Sequence, residues 1–255
     1  MSSRTALRAA ALAAAALALT ACNDLGGTAA PAGPPAPAAS LRATGAAPGS
    51  SAPAADHGLD TPPEGQARVA GLALSAWEWG NDFKQYGKDD TELAAPSMDT
   101  SCHLKGSGPV DGLTGRMQRT VTLAGSAADS VAVFGQSSAK VYRSASAAHA
   151  SVTGYRADNK RCPSHTDDTT GDAFSAVHEV KAPAVTGAEE VYAEEGTAVF
   201  ALDGGKKTAP LPYVYRAARK GTVVFTVFVD VEQGQSPAVA RKYADEALRT
   251  LAIKW

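Results

Sequence analysis

The stretch Thr222-Val-Val-Phe-Thr-Val-Phe-Val-Asp-Val231 decides the fold. In an extended chain Val223, Phe225, Val227 and Val229 face one way and Val224, Thr226 and Phe228 the other, because side chains alternate across a strand. Both sides are largely apolar, so the segment reads as a central strand with both faces buried. Lys220-Gly221 just before it reads as the hairpin turn from a strand over 213–218. Beyond it, Ser236-Pro237 marks a helix start, since proline at the first helical position lacks only an amide that would be orphaned anyway. Ala240, Tyr243, Ala244, Ala247, Leu248 and Leu251 then form one apolar face.

Upstream, strands are expected over 173–180, 190–193 and 198–202, separated by turns with glycine. Another is expected over 116–123, with Met117, Arg119, Val121 and Leu123 on one side and Gln118, Thr120 and Thr122 on the other. It is followed by one over 130–134, and the turn-forming residues of 106–115 precede the pair. A long helix capped by Ser137 or Ser138 is expected from Val141, Ala145, Ala148, Val152 and Tyr155, closing at Cys162-Pro163. A short first helix over 69–79 has Val69, Leu72, Ala73, Ala76 and Trp79 at three-to-four spacing and ends at Gly80-Asn81. Strands in sequence joined by short turns imply an α+β domain: a mostly antiparallel sheet with helices packed on one face. No internal repeat is visible, which argues against solenoids and propellers.

The whole chain of 255 residues carries 24 Lys+Arg against 26 Asp+Glu, a net charge of −2. This allows one medium domain with appendages, and it removes the electrostatic driving force for nucleic-acid binding. At the N-terminus Arg4 and Arg8 precede an uncharged apolar run over 9–19, the layout of an export signal. The run is too short to span the ~30 Å hydrocarbon layer. It ends in Leu19-Thr20-Ala21-Cys22, which resembles a bacterial lipobox. Residues 1–21 are therefore expected to be a lipoprotein signal peptide, with Cys22 as the lipid acceptor that holds the chain at the outer face of the cell membrane.

From Asn23 to Pro63, 26 of 41 residues are Ala, Pro or Gly, too few large side chains to build a core. Residues 22–63 read as a lipidated, disordered tether that reaches ~35 Å as a coil. Residues 64–255 remain for the single folded domain.

Of three cysteines, Cys22 is taken by lipid, and Cys102 and Cys162 are left to pair. In an oxidising exterior this closed loop contributes about 4 kcal/mol by the loop-entropy estimate. Two free thiols are the alternative. A zinc site using His103 and His165 is another, although those spacings match no finger pattern.

A lipobox, a low-complexity stalk, a short helix, Val131-Ala132-Val133-Phe134 leading into an Ala-rich helix, Tyr155-Arg156, Cys162, the strand over 222–229 and a C-terminal Ala/Leu helix together resemble the extracellular sensor domain of actinobacterial PknH-type serine/threonine kinases and its lipoprotein relatives. The resemblance covers roughly 64–255. It implies a sheet with flanking helices, a disulfide that ties down the long helix, and a cleft for a ligand. The chain departs from the kinase-attached form in having neither a kinase nor a spanning helix, and in offering one disulfide where that form is associated with two.

Catalytic signatures are missing: there is no Gly-x-Ser-x-Gly, no Gly-x-x-x-x-Gly-Lys and no His-Glu-x-x-His. His178 and Glu179 lie in a strand and point to opposite faces. His165, Asp167, Asp168 and Asp172 surround Gly171 in an acidic loop, but the twelfth position from Asp167 is His178 rather than a bidentate glutamate. Neither metal nor cofactor is expected.

Trp77-Glu78-Trp79 is the one sequence-level contact candidate, because one of two indoles so close on a helix must face away from the core; the alternative is that both close the core, one beneath the helix and one against the following loop. Trp77 and Trp79 are therefore the candidate ligand or partner contacts. The expected function is a non-catalytic cell-surface lipoprotein, an envelope sensor or ligand-binding module for a small ligand or an envelope protein. The alternatives are a cell-wall hydrolase or transferase with scattered catalytic residues, and a structural accessory lipoprotein that binds a partner.

Overall fold

The computed structural model describes residues 61–125 and 131–255. The expected signal peptide, Cys22 and the tether up to residue 60 lie outside the described residues, as does Ser130 at the start of an expected strand. In chain order the described elements are α1 (Pro62–Val69), α2 (Ala76–Trp79), β1 (Phe83–Gln85), β2 (Ala94–Met98), β3 (His103–Pro109), β4 (Leu113–Ala124), β5 (Val131–Tyr142), α3 (Ala145–Arg161), β6 (His165–Asp167), β7 (Ala173–Glu179), β8 (Glu190–Val199), β9 (Leu211–Lys220), β10 (Val223–Val231) and α4 (Pro237–Ala252). No helix among the described residues is long and apolar enough to cross a membrane.

The strands form one sheet in the order β1-β4-β5-β10-β9-β8-β7-β6-β3-β2. Every pairing is antiparallel except that of β3 with β6. β10 lies inside the sheet between β5 and β9, as its two apolar faces demand, and Gly221 turns the β9–β10 hairpin at φ +54°. The α+β class, the mostly antiparallel sheet and the Cys102–Cys162 disulfide all stand as expected.

The helices, however, divide between the two faces of the sheet instead of sharing one. Val223, Phe225, Val227, Val229 and Val231 pack with Ala240, Ala244, Leu248 and Leu251 of α4, and with Val69, Leu74 and Trp79 from the N-terminal segment. Val224 faces the other way and packs with Ala148 and Val152 of α3. A strand apolar on both sides needs a cover on each, and each large side chain so buried contributes about 1.5–3 kcal/mol.

Four expectations about element boundaries shift. The long helix begins after Ser144, whose Oγ accepts the Ala147 amide at 3.1 Å, and not after Ser137 or Ser138. Those two serines lie in β5, which pairs with β4 on one side and β10 on the other, so two ladders override the Val141–Ala145 spacing. The first helix is broken into α1 and a single turn, α2, because Ser75 and Glu78 form a capping box that starts a new helix. Pro62 and Pro63, assigned from composition to the tether, open α1. Of the turn-forming stretch 106–115, residues 106–109 end strand β3, 113–115 open β4, and the turn is confined to 110–112.

The disulfide joins the residue before β3 to the C-cap of α3, with Cα atoms 5.4 Å apart. Arg161 reinforces it by donating to the carbonyls of Asp99 and Met98. The β2–β3 ribbon is thus held against the end of α3.

Candidate functional site

Helix α3 covers only part of its side of the sheet. It is fastened there by tyrosines: Tyr155 lies beside Tyr192 at 6.3 Å between centroids and meets Tyr215 edge-on at 5.4 Å. Tyr142 Oη donates to Ser151 Oγ at 2.8 Å, and Lys140 Nζ donates to Tyr155 Oη at 2.8 Å. Burial disfavours both charges of that last pair, yet their proximity wins: it holds the Tyr155 phenol below its ordinary range and the Lys140 ammonium above it.

Toward its C-terminus α3 meets Glu194 of β8, which accepts from Asn159 Nδ2 at 3.2 Å, Tyr192 Oη at 2.5 Å and Tyr213 Oη at 3.2 Å. Burial and the nearby carboxylate push both phenols far up, so they remain protonated donors. Glu194 therefore marks where the helix stops holding the sheet.

Past this point the same face carries a cluster of aromatic rings to which no helical residue belongs, with Tyr155 of α3 reaching only Tyr215 at its border. Register places Phe228 opposite Tyr215 and Gln136, and Tyr215 opposite Glu194, so all four side chains share the α3 face. Tyr213 stacks on Phe228 at 5.4 Å with planes 20° apart. Phe174 of β7 meets Tyr213 edge-on at 5.5 Å, and His165 stacks on Phe174 at 4.7 Å. Val177, Ala198 and Phe200 complete the cluster. Tyr213 is buried, whereas Phe174, Tyr215 and Phe228 each keep an exposed fraction. Gln136 is half-buried beside them, and its amide has no protein partner among the described residues.

The two indoles singled out from sequence part company. Trp79 is 7% exposed and packs against Phe83, whereas Trp77 is 75% exposed on the opposite side of the same turn. Neither is near the aromatic face, since α2 lies on the α4 side of the sheet. A shallow groove of about 280 Å³, lined by Pro62, Pro63, Gln66, Thr91 and Leu93, carries no ionisable group.

The acidic loop is occupied with local bonding. Asp168 holds His103 at 2.6 Å and pairs with Lys105, Asp167 accepts the amides of Thr169 and Thr170, and Asp172 accepts that of Ala201. His178 Nδ1 lies 2.8 Å from its neighbour's carbonyl at Ala176. No group of three or more His, Cys, Asp or Glu among the described residues is arranged to hold a metal ion.

Sequence reading missed the aromatic face because its rings come from separate strands. Phe174, Tyr213 and Phe228 are far apart in sequence, and each alone looks like an ordinary strand residue. The register that aligns them belongs to the whole sheet.

No family model matches the sequence, and no curated relative matches it. Among solved structures, the chain is similar to the extracellular domain of PknH from Mycobacterium tuberculosis, the family its sequence resembles. That match has 12% identity, covers 73% of this chain and 95% of that one, and has a TM-score of 0.46. It is also similar to the Rv0999 ortholog from Mycobacterium smegmatis, at 10% identity over 71% of this chain and 98% of that one, with a TM-score of 0.35.

Proposed function

We propose that the chain is a lipid-anchored, non-catalytic binding domain at the outer face of the cell membrane, and that it receives its ligand on the Phe174–Tyr213–Phe228 face. The observation that carries this reading is the partly exposed ring of Phe228, stacked on Tyr213 and flanked by the unpartnered amide of Gln136. Flat aromatic rings beside amide and hydroxyl groups suit a ligand with an apolar C–H face and a polar rim, of which a sugar ring is the simplest kind. The ionisable groups nearby support binding rather than turnover. Glu194 is engaged by three donors, and Lys140 is engaged by Tyr155.

Saturation-transfer NMR on the full chain with chitotriose, maltotriose and soluble peptidoglycan fragments tests this. At least one probe should receive saturation, and Phe228→Ala and Gln136→Ala should each abolish the transfer while Trp77→Ala retains it. Because Gln136→Ala removes no core volume, its effect separates ligand contact from lost stability. No transfer to any probe, or transfer indifferent to both substitutions, overturns the assignment.

A further inference from the structure

Trp77 and Ile253 are the large apolar side chains left exposed among the described residues, at 75% and 85%. They belong to elements far apart in sequence that the fold brings together. Lys254 Nζ pairs with Glu78 Oε1 at 2.8 Å and donates to the Ala73 carbonyl at 3.3 Å, so the residue after Ile253 is bonded to the residue after Trp77.

The exposure of Trp77 is built in. Ser75 donates its amide and its hydroxyl to Glu78, each at 2.7 Å, which fixes the single turn of α2. Trp79 then enters the core against Phe83, and the turn directs Trp77 outward. Arg249 precedes Ile253 by one helical turn, is exposed, and has no carboxylate partner among the described residues.

An indole, a branched aliphatic side chain and an unpaired arginine form the composition that settles at a lipid–water boundary, where the rings and methyls enter the headgroup layer and the cation meets phosphate. The tether joins the domain on this same side of the sheet, since α1 and α2 pack with α4. The 38 residues between Cys22 and Thr61, if they form the coil their composition implies, would reach ~35 Å, ample for the domain to lie against the surface that anchors it.

We propose that Trp77 and Ile253 form a membrane-contact patch through which the domain rests on the outer leaflet, with its aromatic face turned away from the lipid. The proposal rests on the reading of Cys22 as a lipid acceptor.

The full lipidated chain, reconstituted in phosphatidylcholine–phosphatidylglycerol vesicles with and without lipids brominated near the headgroup, reports on anchor and patch separately. Flotation with the vesicles reads the anchor, and quenching of tryptophan fluorescence by brominated lipid reads Trp77. Trp79 lies in the core and Trp255 is stacked on Phe225 at 4.6 Å. The expected result is lipid-dependent quenching that Trp77→Ala removes and Ile253→Asp weakens, with flotation unchanged. Flotation without such quenching, or quenching that survives Trp77→Ala, overturns the patch and leaves the anchor standing. A chain that does not float overturns both. A vesicle-free dimer dissociated by Trp77→Ala would assign the patch to a second copy of the chain and overturn the membrane contact.

Discussion

The indole of Trp79 lies directly over Gly135 of β5: a Cβ at that position would stand 2.8 Å from Cζ3 and 2.9 Å from Cη2 of the ring, and 3.2 Å from Val121. Glycine is a poor strand residue, so its place here is set by the ring it accommodates. Gly135→Ala should therefore destabilise the domain by about 1–3 kcal/mol despite the better strand propensity of alanine. Urea unfolding of the two proteins checks this; a midpoint equal to or above that of the native chain would refute the close approach.

The two neighbouring tryptophans should respond very differently to truncation. Trp79→Ala removes a buried ring and should cost about 3–5 kcal/mol, whereas Trp77→Ala removes an exposed one and should shift stability by less than about 1 kcal/mol. Paired denaturation curves decide the matter. Comparable losses would place both rings in the core.

The disulfide ties the β2–β3 ribbon to α3, and its removal should cost about 2–5 kcal/mol. Cys162→Ala is the variant used, because it opens the bridge without touching Cys102, whose backbone sits at φ +63°. Thermal unfolding with and without reductant should show the native chain falling toward the variant. Alkylation of both thiols in the unreduced native protein would refute the bridge.

Glu195 gives stability a defined dependence on acid. Burial alone would raise its pKa, but Arg241 at 2.6 Å and Arg216 at 3.3 Å outweigh that and hold the carboxyl below the usual range. Stability from this group is fully present above the pKa of an unfolded glutamate and is lost as pH falls through the depressed folded value. Glu195→Gln should cost about 1–2 kcal/mol at neutral pH, because Arg216 and Arg241 lose a charged acceptor while Arg216 keeps Asp245 at 2.9 Å. Its difference from the native chain should shrink as pH drops below the ordinary glutamate range. A difference constant from pH 7 down to pH 3 would show that the carboxylate contributes no charge-dependent stability.

Cys22→Ala tests the anchor in cells. The variant should leave the membrane fraction for the medium or accumulate as an uncleaved precursor. Normal cleavage with unchanged membrane retention would refute the lipid acceptor.

Local chemistry made much of this protein legible in its sequence. The two-sided apolar pattern of 222–231 demanded a central strand, and Ser236-Pro237 with its apolar stripe demanded the C-terminal helix, because both signals reside in consecutive side chains. The pairing of Cys102 with Cys162 followed from there being only two cysteines left to pair in an oxidising exterior. Tertiary structure decided what depends on neighbours distant in sequence. Residues 131–142 are a strand because β4 and β10 supply hydrogen-bond ladders on both sides, which no spacing within the segment announces. The helices fall on opposite faces because each apolar side of β10 needs its own cover. Trp77 faces solvent and Trp79 the core because Ser75 starts a new helical turn, a choice of phase that the Trp-Glu-Trp string leaves open. The aromatic face exists only through strand register, which brings together Phe174 of β7, Tyr213 of β9 and Phe228 of β10.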